Sequence, residues 1–286
     1  MGHLLREIHI SSIVFHYFFD TFAAYFLIHY VMITISVMNQ KGGVGKSTST
    51  RNIGAFFALQ GYKTLMVDID AQANLSQISN ISDDAERTVL DAFRNKLPHI
   101  YPIADNLSII PSSLSFAGIE LEIISAMQRE MFLIKLFKKI PENFDICLID
   151  CPPAINMITT NALAASQWVL IPLEASFLSL NGLEMMYNII SMVREDLNPD
   201  LSVLGSFFNK YKEKTVVARD ILSKINEKGI DIALFQTKIR QLEDFKKAEL
   251  NKQSIFDYAS ASAAADDYRS LGNEIIAKLK ESNSIK

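Results

Sequence analysis

Short apolar segments alternate with amphipathic stretches along most of the chain. Seven such segments stand out, at residues 33–38, 64–69, 107–111, 145–150, 168–172, 203–208 and 232–236. Continuous apolar runs of this length are typical of strands buried on both faces of a parallel sheet, and most intervals between them can hold a helix. The pattern therefore predicts an α/β fold, with a doubly wound, mainly parallel sheet and helices on both faces.

Two helices are indicated by clearer local signals. Residues 48–60 follow the first predicted strand, and Gly61 supplies a typical helix stop. Near the C-terminus, apolar positions recur at intervals of three and four residues, namely Ala264, Tyr268, Leu271, Ile275 and Leu279. This spacing predicts one amphipathic helix that packs on the core.

Residues 1–31 differ from the rest of the chain, because they hold eight of its 28 aromatic residues and only three charged ones. The uncharged run at residues 21–40 is nominally long enough to span a bilayer. It reaches that length only by including residues 33–38, which the sheet needs as its first strand. We therefore divide the chain into a hydrophobic N-terminal extension, residues 1–31, and one domain, residues 32–286. The favoured interpretation of the extension is upstream reading frame before a natural start at Met32; an amphipathic membrane-contacting arm and a packed N-terminal helix are the alternatives.

Composition narrows the possible chemistry. The net charge of −4 excludes a globally basic nucleic-acid binder, although a local basic face remains open. The two cysteines, Cys147 and Cys151, are too few for a disulfide scaffold, an all-cysteine zinc site or an iron–sulfur cluster within one chain. Both are expected to be small core residues. Four of the five histidines precede residue 32, so no His-rich metal site is available in the body of the chain.

The strongest motif is the loop KGGVGKST at residues 41–48, directly after the first predicted strand. It fits the end of the phosphate-loop pattern, but Gln40 stands where the first glycine is usual. Gly42, Gly43 and Gly45 allow backbone N–H groups to approach phosphate oxygens. The following helix directs its positive end at the anion. Lys46 is expected to contact the β- and γ-phosphates, and the Ser47 hydroxyl to bind Mg²⁺.

Carboxylates follow two of the predicted strands. Asp68 and Asp70 end the second strand, two residues apart and therefore on one face, and Asp150 ends the fourth. Ligands of open parallel sheets bind at the carboxyl ends of the strands, so these groups are expected to face the phosphates. Asp150 follows an apolar strand, as the Mg²⁺-binding acid of phosphate-loop proteins does. The alternatives are a helix N-cap for Asp70 and a structural role for Asp68.

The loop KGGVGKST, with its additional lysine at position 41, resembles the deviant Walker A motif of the ParA/MinD family of P-loop ATPases. The segments at residues 106–123, 159–183 and 234–258 also resemble ParA-type sequences, and the match is better to partitioning ParA proteins than to other branches. The sequence DCPPA at residues 150–154 matches the family's switch segment. The resemblance implies ATP and Mg²⁺ as cofactors and slow, partner-stimulated hydrolysis of ATP to ADP and phosphate.

The resemblance also implies residue roles. Lys41 would cross a dimer interface and contact the nucleotide held by the partner subunit. Asp70 would position the attacking water, and Asp68 would support the metal. Two departures, Ala71 for the usual proline and Ala73 for the usual glycine, make the turn after this strand less certain.

Further resemblance implies that the remaining loop residues, Val44 and Thr48, take part in nucleotide binding with the glycines. Asn209, after the sixth predicted strand, is our candidate for reading the adenine. The alternative for Asn209 is a cap at the strand end.

The implied biology is partitioning of DNA by an ATP-dependent homodimer that binds DNA nonspecifically, in the cytoplasm and at the nucleoid. Residues 207–252 contain 11 Lys/Arg and seven Asp/Glu, a net charge of +4 that suits the phosphate backbone. The leading candidates for DNA contact are Arg219, Arg240, Lys246 and Lys247, and Lys210, Lys212 and Lys214 are further candidates. An ordinary solvated surface is the alternative for all of them.

Two other implications concern partners. A ParB-like centromere-binding protein is expected to stimulate hydrolysis. The runner-up function is a MinD-like ATPase that docks on membrane, but the chain ends EIIAKLKESNSIK, which is short of apolar residues for the amphipathic tail that this branch uses.

Overall fold

The computed structural model describes residues 32–141, 143–174, 180–212 and 233–285. The extension predicted for residues 1–31 and the DNA contact predicted at Arg219 lie outside these residues. So do the first residue of the strand predicted at 232–236 and Lys214.

Eight strands form one sheet. They are β1 (Ile33–Val37), β2 (Thr64–Asp68), β3 (Tyr101–Ala104), β4 (Leu107–Ile110), β5 (Ile146–Asp150), β6 (Trp168–Glu174), β7 (Ser202–Tyr211) and β8 (Leu234–Arg240). Their order across the sheet is β3-β4-β2-β5-β1-β6-β7-β8, and every pairing is parallel except β3 with β4. The predicted doubly wound, mainly parallel sheet is confirmed.

The differences from the prediction lie at an edge and at strand ends. The edge strand β3 was not predicted, because its sequence YPIA alternates in exposure and contains a proline instead of forming an apolar run. Strands β6 and β7 extend beyond their predicted ends, to Glu174 and Tyr211. These extensions carry polar residues at the carboxyl edge of the sheet, where hydrophobicity no longer marks the strand.

The helices lie between the strands in chain order. They are α1 (Lys46–Leu59), α2 (Asn74–Ile78), α3 (Val89–Phe93), α4 (Ile119–Ile123), α5 (Phe132–Phe137), α6 (Met157–Ala164), α7 (Leu180–Asp196), α8 (Glu243–Leu250), α9 (Ile255–Tyr258) and α10 (Ala263–Glu281). The helix predicted at residues 48–60 is α1, which begins two residues earlier, and Gly61 follows it with a φ of +89°. Among the described residues, no helix combines the length and apolar character needed to cross a bilayer.

Helix α10 packs against α1, which carries the phosphate loop at its start. All five apolar positions predicted from the spacing in this helix are fully buried. Close contact is possible because Gly272 has no side chain: a Cβ there would lie 2.2 Å from a ring carbon of Phe56 in α1. The predicted burial of Cys147 and Cys151 is also confirmed, and both thiols are free.

We expect Gly272→Val to destabilise the protein by about 1–3 kcal/mol, because the new side chain must displace the Phe56 ring from a close-packed core. Urea unfolding followed by circular dichroism measures this change. Ser270→Val, on the exposed part of the same helix, is the matched control and should change the stability little, because serine and valine have nearly equal helix propensities. Equal costs for the two variants would contradict the packing described for Gly272.

Candidate functional site

A cavity of about 590 Å³ lies at the carboxyl edge of the sheet. The predicted loop forms one wall, through Gly42, Gly43, Gly45, Lys46, Ser47 and Thr48. The remaining walls are formed by Asp70, Gln72, Asn74, Ile78, Pro152, Pro153, Ala154, Lys210 and Glu249. The structure thus brings together the phosphate loop, Asp70 and the predicted switch segment, as the sequence analysis expected.

The phosphate loop turns sharply from β1 into α1. Gly45 has a φ of +91°, in the left-handed region that glycine tolerates, and it directly precedes the helix. Among the described residues no side chain caps the first turn of α1. The backbone N–H groups of that turn are therefore available to an anion, and the helix dipole favours negative charge there.

Asn209 of β7 forms hydrogen bonds with the phosphate loop. Its Nδ2 donates to the carbonyl oxygen of Val44 at 2.9 Å and lies 3.4 Å from the Ser49 hydroxyl, and its Oδ1 accepts from the Lys210 amide. A Cβ at Gly45 would lie 2.3 Å from the same Nδ2. The Asn209 amide is thus occupied by contacts with the loop and with its own strand end. The contact with adenine that the resemblance implied stays a prediction. The geometry favours a structural role for Asn209, in which its amide supports the phosphate loop through the Val44 carbonyl.

Asp150 is a buried carboxylate at the centre of the carboxyl edge. In the sheet register it pairs with Val37 of β1 on one side and with Asp68 of β2 on the other. The side chain is nearly inaccessible, and neither oxygen has a hydrogen-bond partner among the described residues. Burial, and then the charge of Asp68, raise the pKa of Asp150 well above its ordinary value. The Ser47 hydroxyl and the Lys46 ammonium favour the charged form, although Ser47 makes no hydrogen bond of regular geometry to it.

Lys46 brings a buried positive charge to this cluster. Its side chain is almost inaccessible, and its Nζ lies 3.4 Å from the carbonyl oxygen of Lys41. Burial lowers the pKa of Lys46, whereas the neighbouring Asp150 and Asp70 raise it. An ammonium that is weakly solvated and points into an anion-binding loop is well placed to contact phosphate oxygens.

Asp68 and Asp70 have different surroundings although they are two residues apart. Asp68 is fully buried, and its oxygens accept hydrogen bonds from the Asp70 amide and from the amide and hydroxyl of Ser76. Burial raises the pKa of Asp68 and the bonds from Ser76 oppose this shift, so that the net pKa is about 6. Asp68 therefore anchors the turn after β2, and its predicted support of a metal stays a prediction.

Asp70 is less buried and lines the cavity, although its Oδ1 accepts from the Gln72 amide. The alternative that Asp70 is a helix N-cap is wrong, because α2 begins at Asn74 and Ala73 occupies the cap position. Ala73 has a φ of +52°, a conformation that costs alanine more than glycine. The turn is thus formed in spite of the departure at Ala73.

Two residues that line the cavity, Lys210 and Glu249, were not predicted as part of the site. The Thr48 hydroxyl donates to the carboxylate of Glu249 in α8, and the Lys210 ammonium donates to the carbonyl oxygen of Gly43. Lys210 has a φ of +53°, which turns the chain at this point of β7. From the sequence, Lys210 was only a further DNA candidate and Glu249 was no candidate, because no local motif marks either residue.

Lys41, in the phosphate loop, forms an ion pair within its own chain. Its Nζ donates to Oε2 of Glu174 at 2.7 Å. The predicted contact of Lys41 with a partner subunit stays a prediction, since one chain is described.

The predicted DNA-binding residues differ in how far their side chains are already paired within the chain. Arg240 forms a bidentate ion pair with Asp267 of α10, with nitrogen–oxygen distances of 2.6–3.1 Å, and also donates to the Ala263 carbonyl oxygen. A DNA contact by Arg240 would compete with this pair and stays a prediction. Lys246 and Lys247 are exposed on α8, and Lys246 lies 3.0 Å from Glu243.

The site fits a divalent cation that is held jointly with a bound anion. Asp150 offers two buried oxygens without partners, and the Ser47 hydroxyl is its neighbour. Within the described part of the chain, no group of three or more His, Cys, Asp or Glu side chains is arranged to hold a metal ion. Oxygens of a bound phosphate chain would therefore have to complete the coordination of Mg²⁺, as is usual for this ion.

Comparisons with known proteins agree with this geometry. A family model described as an AAA domain matches residues 32–203. The chain is 35% identical over 250 residues to the chromosome-partitioning ATPase Soj of Treponema pallidum, which covers 86% of this chain and 97% of that protein. It is 32% identical over 248 residues to the sporulation initiation inhibitor protein Soj of Bacillus subtilis, covering 85% of this chain and 98% of that protein.

A solved structure of similar fold is cobyrinic acid a,c-diamide synthase from Mycobacterium smegmatis, with a bound ATP analog and magnesium. The TM-score is 0.77 and the identity 26%, and the match covers 89% of this chain and 98% of that one.

We expect Asp150→Asn to reduce the pH dependence of stability. The pKa of Asp150 is raised in the folded protein, so the wild type loses stability as the pH rises from the ordinary pKa of aspartate through the raised pKa. At low pH the wild type and the variant are both uncharged at this position. Between pH 5 and pH 8 the variant should gain about 1–3 kcal/mol relative to the wild type, measured by urea unfolding in the absence of nucleotide and Mg²⁺. Asp105→Asn, at an exposed position, is the control and should change nothing. Parallel pH profiles for Asp150→Asn and the wild type would contradict the buried, uncompensated carboxylate.

We expect Asn209→Ala to weaken the binding of ATP and GTP by similar factors, about tenfold, because it removes the support of the Val44 carbonyl and loosens the loop. Fluorescent analogues of the two nucleotides measure both affinities. If Asn209 instead reads the adenine, ATP binding falls and GTP binding does not. A selective loss of ATP affinity would therefore restore the adenine role and refute the supporting role.

Proposed function

The chain belongs to the ParA/MinD family of P-loop ATPases, and from that premise we propose that it is a partitioning ATPase that dimerises on ATP, binds DNA nonspecifically and is reset by hydrolysis. The single observation that carries the proposal is the cavity at the phosphate loop, which combines an uncapped helix start with the buried Lys46, beside the buried Asp150 carboxylate that has no hydrogen-bond partner among the described residues. The names of the sequence relatives in Treponema pallidum and Bacillus subtilis support the branch of the family.

The residues of the cavity suit the binding of a triphosphate. The N–H groups at the start of α1 and the Lys46 ammonium would hold the β- and γ-phosphates. Mg²⁺, held by Ser47 and Asp150, would neutralise phosphate charge when bound. Asp70, which lines the cavity and is less buried than Asp68, would hold the attacking water by accepting its hydrogen bond.

The dimer would supply the second cation of the site. In the proposal Lys41 extends from one subunit to the triphosphate bound by the other, so neither subunit is complete alone. The positive charge would stabilise the charge that develops on the transferred phosphate. This arrangement makes nucleotide binding and dimerisation one linked event.

Binding to DNA would use a basic surface rather than base readout. The segment at residues 207–252 has a net charge of +4 in a chain whose net charge is −4. Lys246 and Lys247 are exposed on α8, the helix that also places Glu249 at the cavity. The basic surface and the nucleotide would thus be coupled through one short helix. A ParB-like DNA-bound protein is the proposed stimulating partner, and the nucleoid the proposed location.

The runner-up, a MinD-like ATPase on membrane, has less support. The C-terminal helix α10 has Leu271, Ile275 and Leu279 fully buried against the core, and Ile285 after the helix also packs on it. The apolar side chains that an amphipathic membrane anchor would insert into a bilayer are thus buried in the core of the protein.

The test of the function is DNA binding by the full chain with ATP, ADP or no nucleotide, across a salt series. We expect binding with ATP and Mg²⁺ that weakens steeply as salt rises, because released counterions drive the association. Fluorescence anisotropy with DNA of arbitrary sequence measures it. Binding to anionic liposomes in place of DNA would favour the runner-up, and equal DNA binding in all nucleotide states would overturn the switch.

Two substitutions separate binding from hydrolysis. Lys46→Ala should lose both nucleotide binding and turnover, whereas Asp70→Ala should bind ATP and dimerise but hydrolyse it about 10²–10⁴-fold more slowly. Phosphate release and sedimentation measure the two properties. Asp84→Asn, an exposed acid beyond the turn, is the control. Normal hydrolysis by Asp70→Ala would remove the role proposed for this residue.

A further inference from the structure

The side chain of Lys41 is held by its own subunit. Its Nζ lies 2.7 Å from Oε2 of Glu174, the last residue of β6, and the two side chains are 35% and 17% exposed. Strand β6 is the direct neighbour of β1, from which the phosphate loop begins. The ion pair therefore connects the loop to the adjacent strand end.

The backbone at Lys41 is fixed to the same strand. Asn39 donates from Nδ2 to the Pro172 carbonyl oxygen of β6 at 2.7 Å, and its Oδ1 accepts from the Lys41 amide at 2.9 Å. The carbonyl oxygen of Lys41 faces the ammonium of Lys46. The chain thus reaches Glu174 from a backbone that is already positioned, so that the contact is formed at a small entropic cost.

We propose that Glu174 is a positioning residue that retains Lys41 within its own subunit and thereby sets the ATP concentration at which dimers form. This inference rests on the proposed function, because it assumes that Lys41 reaches the nucleotide of a partner. An ammonium in contact with Glu174 cannot extend across an interface at the same time. Dimer formation must therefore open two such pairs, one in each subunit.

The size of the effect follows from the exposure of the pair. A partly exposed ion pair shifts an equilibrium by roughly 1.5- to 5-fold. Since two pairs open in each dimer, Glu174→Gln should raise the dimerisation constant by roughly 2- to 25-fold. Glutamine keeps the shape of the side chain and removes its charge, so the strand end is preserved.

The first experiment titrates ATP against the full chain carrying Asp70→Ala, which accumulates the ATP state, and follows dimers by analytical ultracentrifugation. Adding Glu174→Gln should lower the ATP concentration needed for half-maximal dimerisation. Glu130→Gln is the matched control, since it removes a glutamate that pairs with Arg129 at 3.1 Å outside the cavity. Thermal unfolding of each variant confirms that the fold is retained.

The second experiment does not depend on dimerisation. The full chain, without nucleotide, is treated with a limiting amount of an acetylating reagent that reacts with amines. Mass spectrometry then quantifies the acetylation of each lysine. Glu174→Gln should speed the modification of Lys41 by roughly 1.5- to 5-fold, because the ammonium loses its ion pair with Glu174. The exposed Lys96 is the internal control and should react equally in both proteins.

The outcomes distinguish the two proposals. If the parent chain forms no ATP-dependent dimer, the proposed function fails, whatever the reactivity of Lys41. If dimers form but Glu174→Gln needs the same or more ATP, retention by Glu174 is refuted. A higher ATP requirement would show that Glu174 instead supports the dimer, and unchanged Lys41 acetylation would show that the pair does not restrain the amine.

Discussion

The site depends on one electrostatic constraint, the burial of the Asp150 carboxylate beside Lys46 without a hydrogen-bond partner among the described residues. A buried charge of this kind is costly unless another group compensates it. The strand register makes the burial unavoidable, because β5 lies between β1 and β2 and places Asp150 next to the end of each. A bound cation and a phosphate chain would supply the compensation, so the geometry that destabilises the empty carboxylate is the geometry that favours a nucleotide.

The phosphate loop is held by groups that are remote in the sequence. Asn209 supports the Val44 carbonyl from β7, Glu249 accepts the hydroxyl of Thr48 from α8, and the Tyr268 hydroxyl lies 3.0 Å from that of Ser49. These supports leave the N–H groups at the start of α1 available for an anion. They also lie beyond residue 203, where the match to the family model ends. The C-terminal third of the chain therefore helps to shape the loop as well as to cover the sheet.

Charged side chains join the phosphate loop to neighbouring elements. Lys41 of the loop pairs with Glu174 at the end of β6, and Lys210 of β7 contacts the Gly43 carbonyl. Helix α8 contributes Glu249 to the cavity and exposes Lys246 and Lys247. The proposed cycle would use these charged groups at two surfaces, the dimer face through Lys41 and the basic face through Lys246 and Lys247.

The sequence alone determined the class of the sheet, doubly wound and mainly parallel, and the chemistry of the loop. Buried strands must be continuously apolar, and a loop that binds phosphate needs glycines, a lysine and a hydroxyl in a fixed local order, so both leave a local pattern. The predictions at Lys46 and Asp70 placed both residues at one cavity, with Asp150 beside Lys46, because parallel strands end at a common edge. The tertiary structure decided what no local pattern records: that Asn209 supports the loop, that Arg240 is committed to Asp267, and that Glu174 holds Lys41. Each of these contacts joins segments at least 27 residues apart, and only the folding of the chain brings their charges and hydrogen-bonding groups within reach.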